Sequence, residues 1–202
     1  MTEKPTCGLV LLAAGASTRM GRPKQLLPVH GKPLLRHVVE SALAEPVSPV
    51  IVVLGANAME IAPCLDGLPV QIVTNTGWTE GMGSSLRRGM EELSQIAPAT
   101  KNVIIALADQ PDILTGHITK LIETQRATGR PIVASECQGV RSPPALFTAK
   151  HFPSLLALHG DSGARAILQK HAGEVGTVPL PASRDLDTPS DYTDYLSQKT
   201  SS

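Results

Sequence analysis

Leu11-Leu-Ala-Ala-Gly-Ala-Ser-Thr-Arg-Met-Gly-Arg-Pro-Lys-Gln-Leu-Leu-Pro28 leaves a hydrophobic run, passes through small residues, and sets Arg19 and Lys24 on a loop punctuated by glycine and proline. The run that feeds it, residues 7–12, is continuously apolar and bounded by Pro5 and the turn at Gly15. That is the pattern of a strand covered on both faces, which favours the interior of a parallel sheet. A strand ending in such a loop wraps backbone N–H donors and two cations around a space suited to a polyphosphate.

The remaining chain repeats the alternation. Leu34, Leu35, Val38, Val39, Ala42 and Leu43 recur at helical spacing up to Pro46, followed by a buried strand at 50–54 and a helical turn at 58–62. A third strand is expected at 70–73, then a polar, Gly-rich crossing loop at 75–85, then a helix marked by Leu86, Met90 and Leu93 with Ser84 or Ser85 as its N-cap. The fourth strand, 103–107, runs into Asp109-Gln110-Pro111, and a helix with Thr115 as candidate cap carries Ile118, Leu121 and Ile122 inward. A fifth strand at 131–134 gives way to a loop at 138–144, two helices at 151–158 and 162–171 flank Gly160-Asp161, and 177–180 is a short last strand. Thr188-Pro189-Ser190-Asp191 offers a cap, a proline at the first helical position and an acid in the first turn, a helix start. Strands alternating with helices at this rhythm predict a doubly wound α/β fold, a mostly parallel sheet sandwiched by helices, as one domain over 1–197 with a polar tail at 198–202. Ligands of such sheets bind beyond the carboxyl ends of the strands, so the loops 13–24, 75–85 and 109–112 are expected to share one site.

Composition narrows the functional classes. With 18 basic and 18 acidic residues the formal charge is zero, so nothing global draws the protein to nucleic acid or an anionic membrane. Aromatics make up 2% of the chain, which argues against a base-stacking platform and leaves the core to Leu, Val, Ile and Ala. The polar 1–6 segment and the short apolar run after it fit neither a signal peptide nor a spanning helix, so a cytoplasmic protein is expected. Cys7, Cys64 and Cys137 are scattered, without disulfide or zinc spacing, and the 6 histidines lack metal-ligand spacing and receive no role. Trp78, the lone tryptophan, reads as packing, with contact to an extended ligand as the alternative.

The first loop is not a Walker A motif, because Lys24 lies between Pro23 and Gln25, and it is not a dinucleotide fingerprint, because no glycine stands where needed between Gly15 and Gly21. By spacing alone Arg19 and Lys24 fit either a phosphate clamp or a solvated loop pair, Asp109 either a ligand or a turn former, and one of Asp185 and Asp187 a plain surface residue. Ser84 and Ser85 suit a cap and a phosphate site equally, since both use the donors of a helix N-terminus.

Taken together, Leu12-Ala-Ala-Gly-x-Ser-x-Arg-Met-Gly-x-Pro-Lys-x-Leu-Leu-Pro resembles the signature of nucleotidyltransferases that act on molybdopterin and, more widely, of the sugar-phosphate and methylerythritol-phosphate nucleotidyltransferases. Gly81-Met-Gly-Ser-Ser-Leu-Arg-Arg-Gly resembles the second loop of that family and Leu107-Ala-Asp-Gln-Pro its metal-binding segment. Pro144-Ala-Leu-Phe, Gly160-Asp-Ser-Gly-Ala-Arg and Asp185-Leu-Asp-Thr-Pro-Ser-Asp-Tyr are similar to closing motifs of the molybdenum cofactor cytidylyltransferase branch. Ala13-Ala14-Gly15, in place of Ala-Gly-Gly, matches the cytidine-using branch, whereas Ser142-Pro143 departs from the Gly followed by His or Val common in relatives, in a loop that faces the acceptor.

The resemblance implies a Rossmann-like nucleotidyltransferase fold. It also implies attack of an acceptor phosphate on the α-phosphorus of a nucleoside triphosphate, CTP, with molybdopterin as acceptor, Mg²⁺ as cofactor and pyrophosphate as leaving group. Arg19, Lys24 and Asp109 are the implied catalytic set. Leu12, Ala13, Ala14, Gly15, Arg19, Lys24, Asn75, Ser84 and Ser85 are the implied nucleotide contacts, Asn75 at base or ribose, and Asp109 with Asp187 the metal ligands, ahead of Asp185. A molybdoenzyme or its chaperone is the implied protein partner. Transfer to another phosphorylated acceptor, use of GTP, and a non-enzymatic carrier or insertion chaperone for the molybdenum cofactor are the competing readings.

Overall fold

The computed structural model describes residues 7–112, 115–180 and 185–200, with side chains to Gln198, so the expectations for 1–6 and for 201–202 lie outside the described residues. In chain order the elements are β1 (Cys7–Ala13), a two-stranded ribbon of β2 (Pro28–Val29) and β3 (Lys32–Pro33), α1 (Leu34–Leu43), β4 (Val50–Leu54), α2 (Ala58–Ile61), β5 (Gln71–Thr74), α3 (Met82–Ile96), β6 (Asn102–Leu107), α4 (His117–Thr128), β7 (Ile132–Cys137), β8 (Val140–Thr148), α5 (Phe152–Leu156), α6 (Ala164–Lys170), β9 (Val175–Pro179) and α7 (Pro189–Thr200). The ribbon is separate from a seven-stranded sheet ordered β5-β4-β1-β6-β8-β7-β9, in which β8 runs antiparallel to both its neighbours.

The continuous apolar runs become central strands because each alternate residue serves a different face. Leu9, Leu11, Val52, Leu54, Ile104 and Ala106 point into one core with α1 and α4. Val10, Leu12, Ile51, Val53, Val103 and Ile105 point into the other with α3, α5 and α6. Two cores at roughly 25 cal/mol per Å² of buried apolar surface supply the main driving force for folding. Gly89 sits where α3 comes down on the sheet: a Cβ there would collide with Val10 and lie 2.9 Å from Val53 Cγ2. Close approach of helix and sheet thus offsets the roughly 1 kcal/mol that glycine costs in a helix interior.

Three local expectations are corrected. Residues 138–144 are not a loop; Gln138-Gly139, both at positive φ, turn the chain and β8 begins at Val140. Pro143 and Pro144 sit in an irregularity of the β7–β8 pairing, where Ser135 is opposite Ser142 and Ala134 opposite Ala145. Prolines have no N–H to give a ladder, and a bulge is where a strand tolerates them, which is why the segment reads as a break. Neither Ser84 nor Ser85 is the N-cap of α3, which starts at Met82 after Gly81 (φ 106°). Thr115 does not cap α4 either, whose cap position is Gly116; the Glu45 carboxylate reaches across to accept from the N–H of Gly116 and from the N–H (2.9 Å) and hydroxyl (2.7 Å) of Thr119. An acid at a helix N-terminus also suits the helix dipole.

At the last helix the expected cap forms: Thr188 Oγ1 accepts the Asp191 N–H (3.2 Å), and Asp191 Oδ2 accepts in return from the N–H (2.7 Å) and hydroxyl (2.8 Å) of Thr188. The helix continues to Thr200, across the expected domain edge at residue 197. No helix among the described residues is long and apolar enough to cross a membrane.

Candidate functional site

Strand order reverses at β1, with β4 and β5 on one side and β6 on the other, and the carboxyl end of this reversal is where doubly wound sheets bind ligands. A cleft of about 470 Å³ opens there, walled by the β1 loop, the α3 N-terminus and the segment after β6.

The β1 loop is closed on itself. Gln25 Nε2 donates to the carbonyls of Ala13 (2.8 Å) and Gly15 (3.1 Å), while Ser17 Oγ donates to Gln25 Oε1 (3.3 Å) and accepts the N–H of Lys24 (3.1 Å). Ser17 is held at φ 56°, a left-handed conformation uncommon for a non-glycine residue, and buried Met20 fastens the loop to the core. Gly15 is not held to glycine by the fold around it. Its φ is not in the left-handed range, and a Cβ added to it would meet no protein atom within 4 Å, so nothing in the chain itself demands glycine there. Space left free over a backbone at a cleft mouth suits close approach of a ligand.

Lys24 is delivered to the floor of the cleft. Its ammonium lies 2.7 Å from Asp109 Oδ2 and 2.8 Å from Asp187 Oδ1, and Arg19 Nη2 lies 2.8 Å from the other oxygen of Asp187. Asp109 follows β6, and Asp187 is brought to it because buried Leu186 inserts into the core and donates its N–H to the Asp109 carbonyl (3.0 Å). Gln110 Nε2 donates to Asp185 Oδ1 (2.9 Å), which places a third carboxylate alongside. Burial pushes the Asp109 carboxyl above its usual range, with Asp185 and Asp187 adding to the rise and Lys24 opposing it. Burial also weighs against the charged forms of Lys24 and Asp187, but attraction outweighs it: Lys24, held first by Asp109 and then by Asp187, titrates above its ordinary value, and Asp187, facing Lys24 and Arg19, below. Asp109 Oδ1 is buried and has no hydrogen-bond partner. An unpaired buried carboxylate oxygen is costly, and a cation is the chemistry that satisfies it.

Leu12, Ala13, Ala14, Gly15, Arg19, Lys24, Ser85, Asp109 and Asp187 all line the cleft. Asn75 and Ser84 do not. Asn75 is buried, donating to Ser84 Oγ (2.8 Å) and Ser85 Oγ (3.0 Å) and accepting the Gly77 N–H (3.0 Å). Ser84 Oγ donates to the carbonyls of Gly77 (3.1 Å) and Gly81 (2.8 Å). Ser142 and Pro143 are also absent from the lining.

Sequence reading gave no role to Gln25, although it follows Lys24 directly, or to Asp161, quoted only within a motif, which reaches the cleft because the 159–161 segment packs on the start of α3, with Gly160 accepting the Gly83 N–H (2.8 Å). Trp78 lines the cleft rather than packing in the core. In all, the lining carries two cations, Arg19 and Lys24, against four carboxylates, Asp109, Asp161, Asp185 and Asp187. Such a site repels a polyphosphate unless divalent cations come with it.

Comparison with known proteins agrees with this anatomy. Residues 9–175 match the family described as MobA-like NTP transferase domain. The nicotine blue oxidoreductase of Paenarthrobacter nicotinovorans is 36% identical over 200 residues, covering 93% of this chain and 95% of that protein. Among solved structures, the homologue of Mycobacterium tuberculosis Rv0371c from Mycobacterium sp. strain JC1 superposes with a TM-score of 0.79 at 31% identity, covering 96% of this chain and 97% of that one. Rv0371c of M. tuberculosis H37Rv, solved in complex with manganese, superposes with a TM-score of 0.76 at 27% identity, covering 95% and 98%.

Proposed function

The chain belongs to the MobA-like NTP transferase domain family, a family of nucleotidyltransferases, and from that premise we propose that it transfers CMP from CTP to the phosphate of molybdopterin, releasing pyrophosphate. The observation that carries the reading is the Lys24 ammonium held between Asp109 and Asp187, with Asp109 Oδ1 buried and unpartnered, under a loop whose Gly15 leaves its backbone open.

An ionised acceptor phosphate needs no strong base; the barrier lies in bringing anions together and in the charge on the in-line transition state. Gly15 and the flanking alanines let backbone N–H groups approach the triphosphate, and the N-terminus of α3, which reaches the cleft at Gly81, Met82 and Ser85, adds the positive end of a helix dipole. Lys24 and Arg19 neutralise phosphate oxygens and the pyrophosphate leaving group. Asn75 and Ser84 act at one remove, holding the turn into α3 so that Ser85 faces the ligand. Asp109 and Asp187 are the carboxylates that would hold Mg²⁺, and the manganese-bound Rv0371c supports a divalent cation in this family. Bound there, the ion would offset the negative charge of the phosphates where it develops. Cytosine is favoured by Ala13-Ala14-Gly15, and a molybdoenzyme or its chaperone in the cytoplasm is the expected recipient of the product.

The test is pyrophosphate release with Mg²⁺ across the four nucleoside triphosphates, with and without molybdopterin. Release with CTP and molybdopterin together, lost in Asp109→Asn with the fold intact, is the expected result. Equal release with GTP removes the cytosine assignment, and release only with another phosphorylated acceptor removes molybdopterin. The name of the Paenarthrobacter relative supports a second reading, reduction of an organic substrate. Consumption of NADH or NADPH by the protein without pyrophosphate release would replace the first reading with that one.

A further inference from the structure

At the opposite edge of the sheet the chain gathers a second group of ligand-bearing side chains. His151 ends the turn that follows β8, His171 follows α6, and Glu174 directly precedes β9, so three elements converge where β8 ends and β9 begins. The potential ligand atoms of the three residues lie within 4.8 Å of one another. His151 Nε2 is 3.4 Å from Glu174 Oε2, His171 Nδ1 is 3.3 Å from Glu174 Oε1, and the two imidazoles stand edge to face at 4.7 Å. His151 keeps only 3% of its side-chain exposure. The Nε2 atoms of His151 and His171 are both buried without a hydrogen-bond partner.

His151 Nε2 and His171 Nε2 are buried without partners beside one carboxylate, which His171 already reaches through Nδ1, so hydrogen bonding within the protein leaves both nitrogens unexplained. The turn bearing two of the three ligands is held from outside by Arg141, which donates to the Ala172 carbonyl (2.9 Å), and Arg130, which donates to the Gly173 carbonyl (2.7 Å), and it is closed within by the Glu174 N–H donating to the His171 carbonyl (2.8 Å). Lys150, whose side chain is 61% exposed, pairs with Glu174 Oε2 at 2.5 Å and is free to swing into solvent when a cation takes that oxygen.

We propose that His151, His171 and Glu174 form a binding site for a divalent transition-metal ion, Zn²⁺ foremost, distinct from the cleft and clamping the end of β8 to the start of β9. Two nitrogens and one carboxylate oxygen leave a fourth tetrahedral position open for water, a ligand set that suits Zn²⁺, Co²⁺ or Ni²⁺ and is a poor match for Mg²⁺, which prefers oxygen. A metal here ties together segments 20 residues apart and stabilises the folded state by mass action. The absence of motif spacing in the sequence is no obstacle, because α5 and α6 fold the intervening residues away.

The experiment uses the full chain in the absence of nucleotide. Metal-free protein is titrated with Zn²⁺ and with Co²⁺, following melting temperature, bound metal per chain and the visible absorption of Co²⁺ in a nitrogen-ligated site. Expected are one ion per chain at this site, a melting temperature raised by about 5 to 10 °C at hundredfold excess over Kd, and no comparable shift with Mg²⁺. Both the spectrum and the shift vanish in His171→Gln and in Glu174→Gln, each checked for native circular dichroism, and persist in Asp109→Asn. The two partly exposed ligands are chosen because buried His151 risks misfolding. Loss of both signals in Asp109→Asn with retention in His171→Gln assigns the ion to the cleft and overturns the proposal. So does the absence of any Zn²⁺-dependent shift.

Discussion

Lys24→Met keeps most of the side chain's length and removes only the ammonium, so it separates the charge of this residue from its packing. Lys24 makes two contacts of 2.7 and 2.8 Å to carboxylates whose side chains retain 18% and 32% of their exposure. Breaking a fully buried pair by removing one partner costs roughly 3–5 kcal/mol. Partial solvent access at both acids lowers the expected loss here to about 2 kcal/mol. The loss falls mainly on Asp109, whose carboxyl burial already pushes upward and which would then lack its cation. The sign is testable by a cycle: Asp109→Asn removes the stranded charge, so the double variant should recover most of the stability lost by Lys24→Met. Activity behaves differently. A preorganised contact to a transition state is worth about 3–4 kcal/mol, a loss of roughly 10² to 10³ in turnover, and the double variant should recover none of it. Urea midpoints and pyrophosphate release on the three variants give both answers. A Lys24→Met enzyme with turnover within threefold of wild type removes Lys24 from the reaction; a double variant no more stable than Lys24→Met refutes the account of Asp109 as a buried charge held by its partner.

Gln25→Leu strips the donors from the carbonyls of Ala13 and Gly15 while filling the same space. Because one carbonyl belongs to exposed Gly15 and can turn to water, the expected cost is about 1–2 kcal/mol of stability, with a raised KM for the nucleotide read from initial rates; an unchanged KM removes Gln25 from loop positioning. Acid stability provides another check. The His117 imidazole, 2.8 Å from Ser135 Oγ, is held below its ordinary value of 6.5 by burial and by Lys120, with Glu45 opposing. The unfolded chain therefore takes up the proton first, so unfolding free energy is highest above about pH 6.5 and falls as pH drops through that value toward the lower folded pKa. Urea midpoints between pH 8 and 5 should show the fall, and it should be shallower in His117→Gln; an equal slope in that variant refutes the assignment to His117.

Particular residues show why some features were legible in advance and others were not. The strands 7–12, 50–54 and 103–107 were readable because parallel strands buried on both faces need uninterrupted apolar runs, and Leu9 to Leu12, Val50 to Leu54 and Val103 to Leu107 have no competing interpretation. The cap at Thr188 to Asp191 is local in sequence and so was visible there. Strand β8 was not, because Pro143-Pro144 is a break signal in any window of sequence, and only pairing with β6 and β7 makes it a strand with a bulge. The caps of α3 and α4 were misplaced for a related reason: at α4 the capping carboxylate is Glu45, far away in the chain.

What the sequence determined by itself is the scaffold and its chemical stock: a doubly wound sheet, a glycine-marked loop after β1, and the cations and acids able to handle a polyphosphate. Each of these depends on short-range periodicity, on turn residues or on side-chain chemistry. What only the tertiary structure decided is which of those side chains meet. Asp187 stands between Arg19 and Lys24 because Leu186 is buried in the core, Asn75 and Ser84 turn inward because they satisfy each other, and His151 meets His171 because β8, α5 and α6 bring the two turns to one edge of the sheet. Contacts between residues distant in sequence cost loop-closure entropy that burial of the core repays collectively, so no window of sequence carries the information about them.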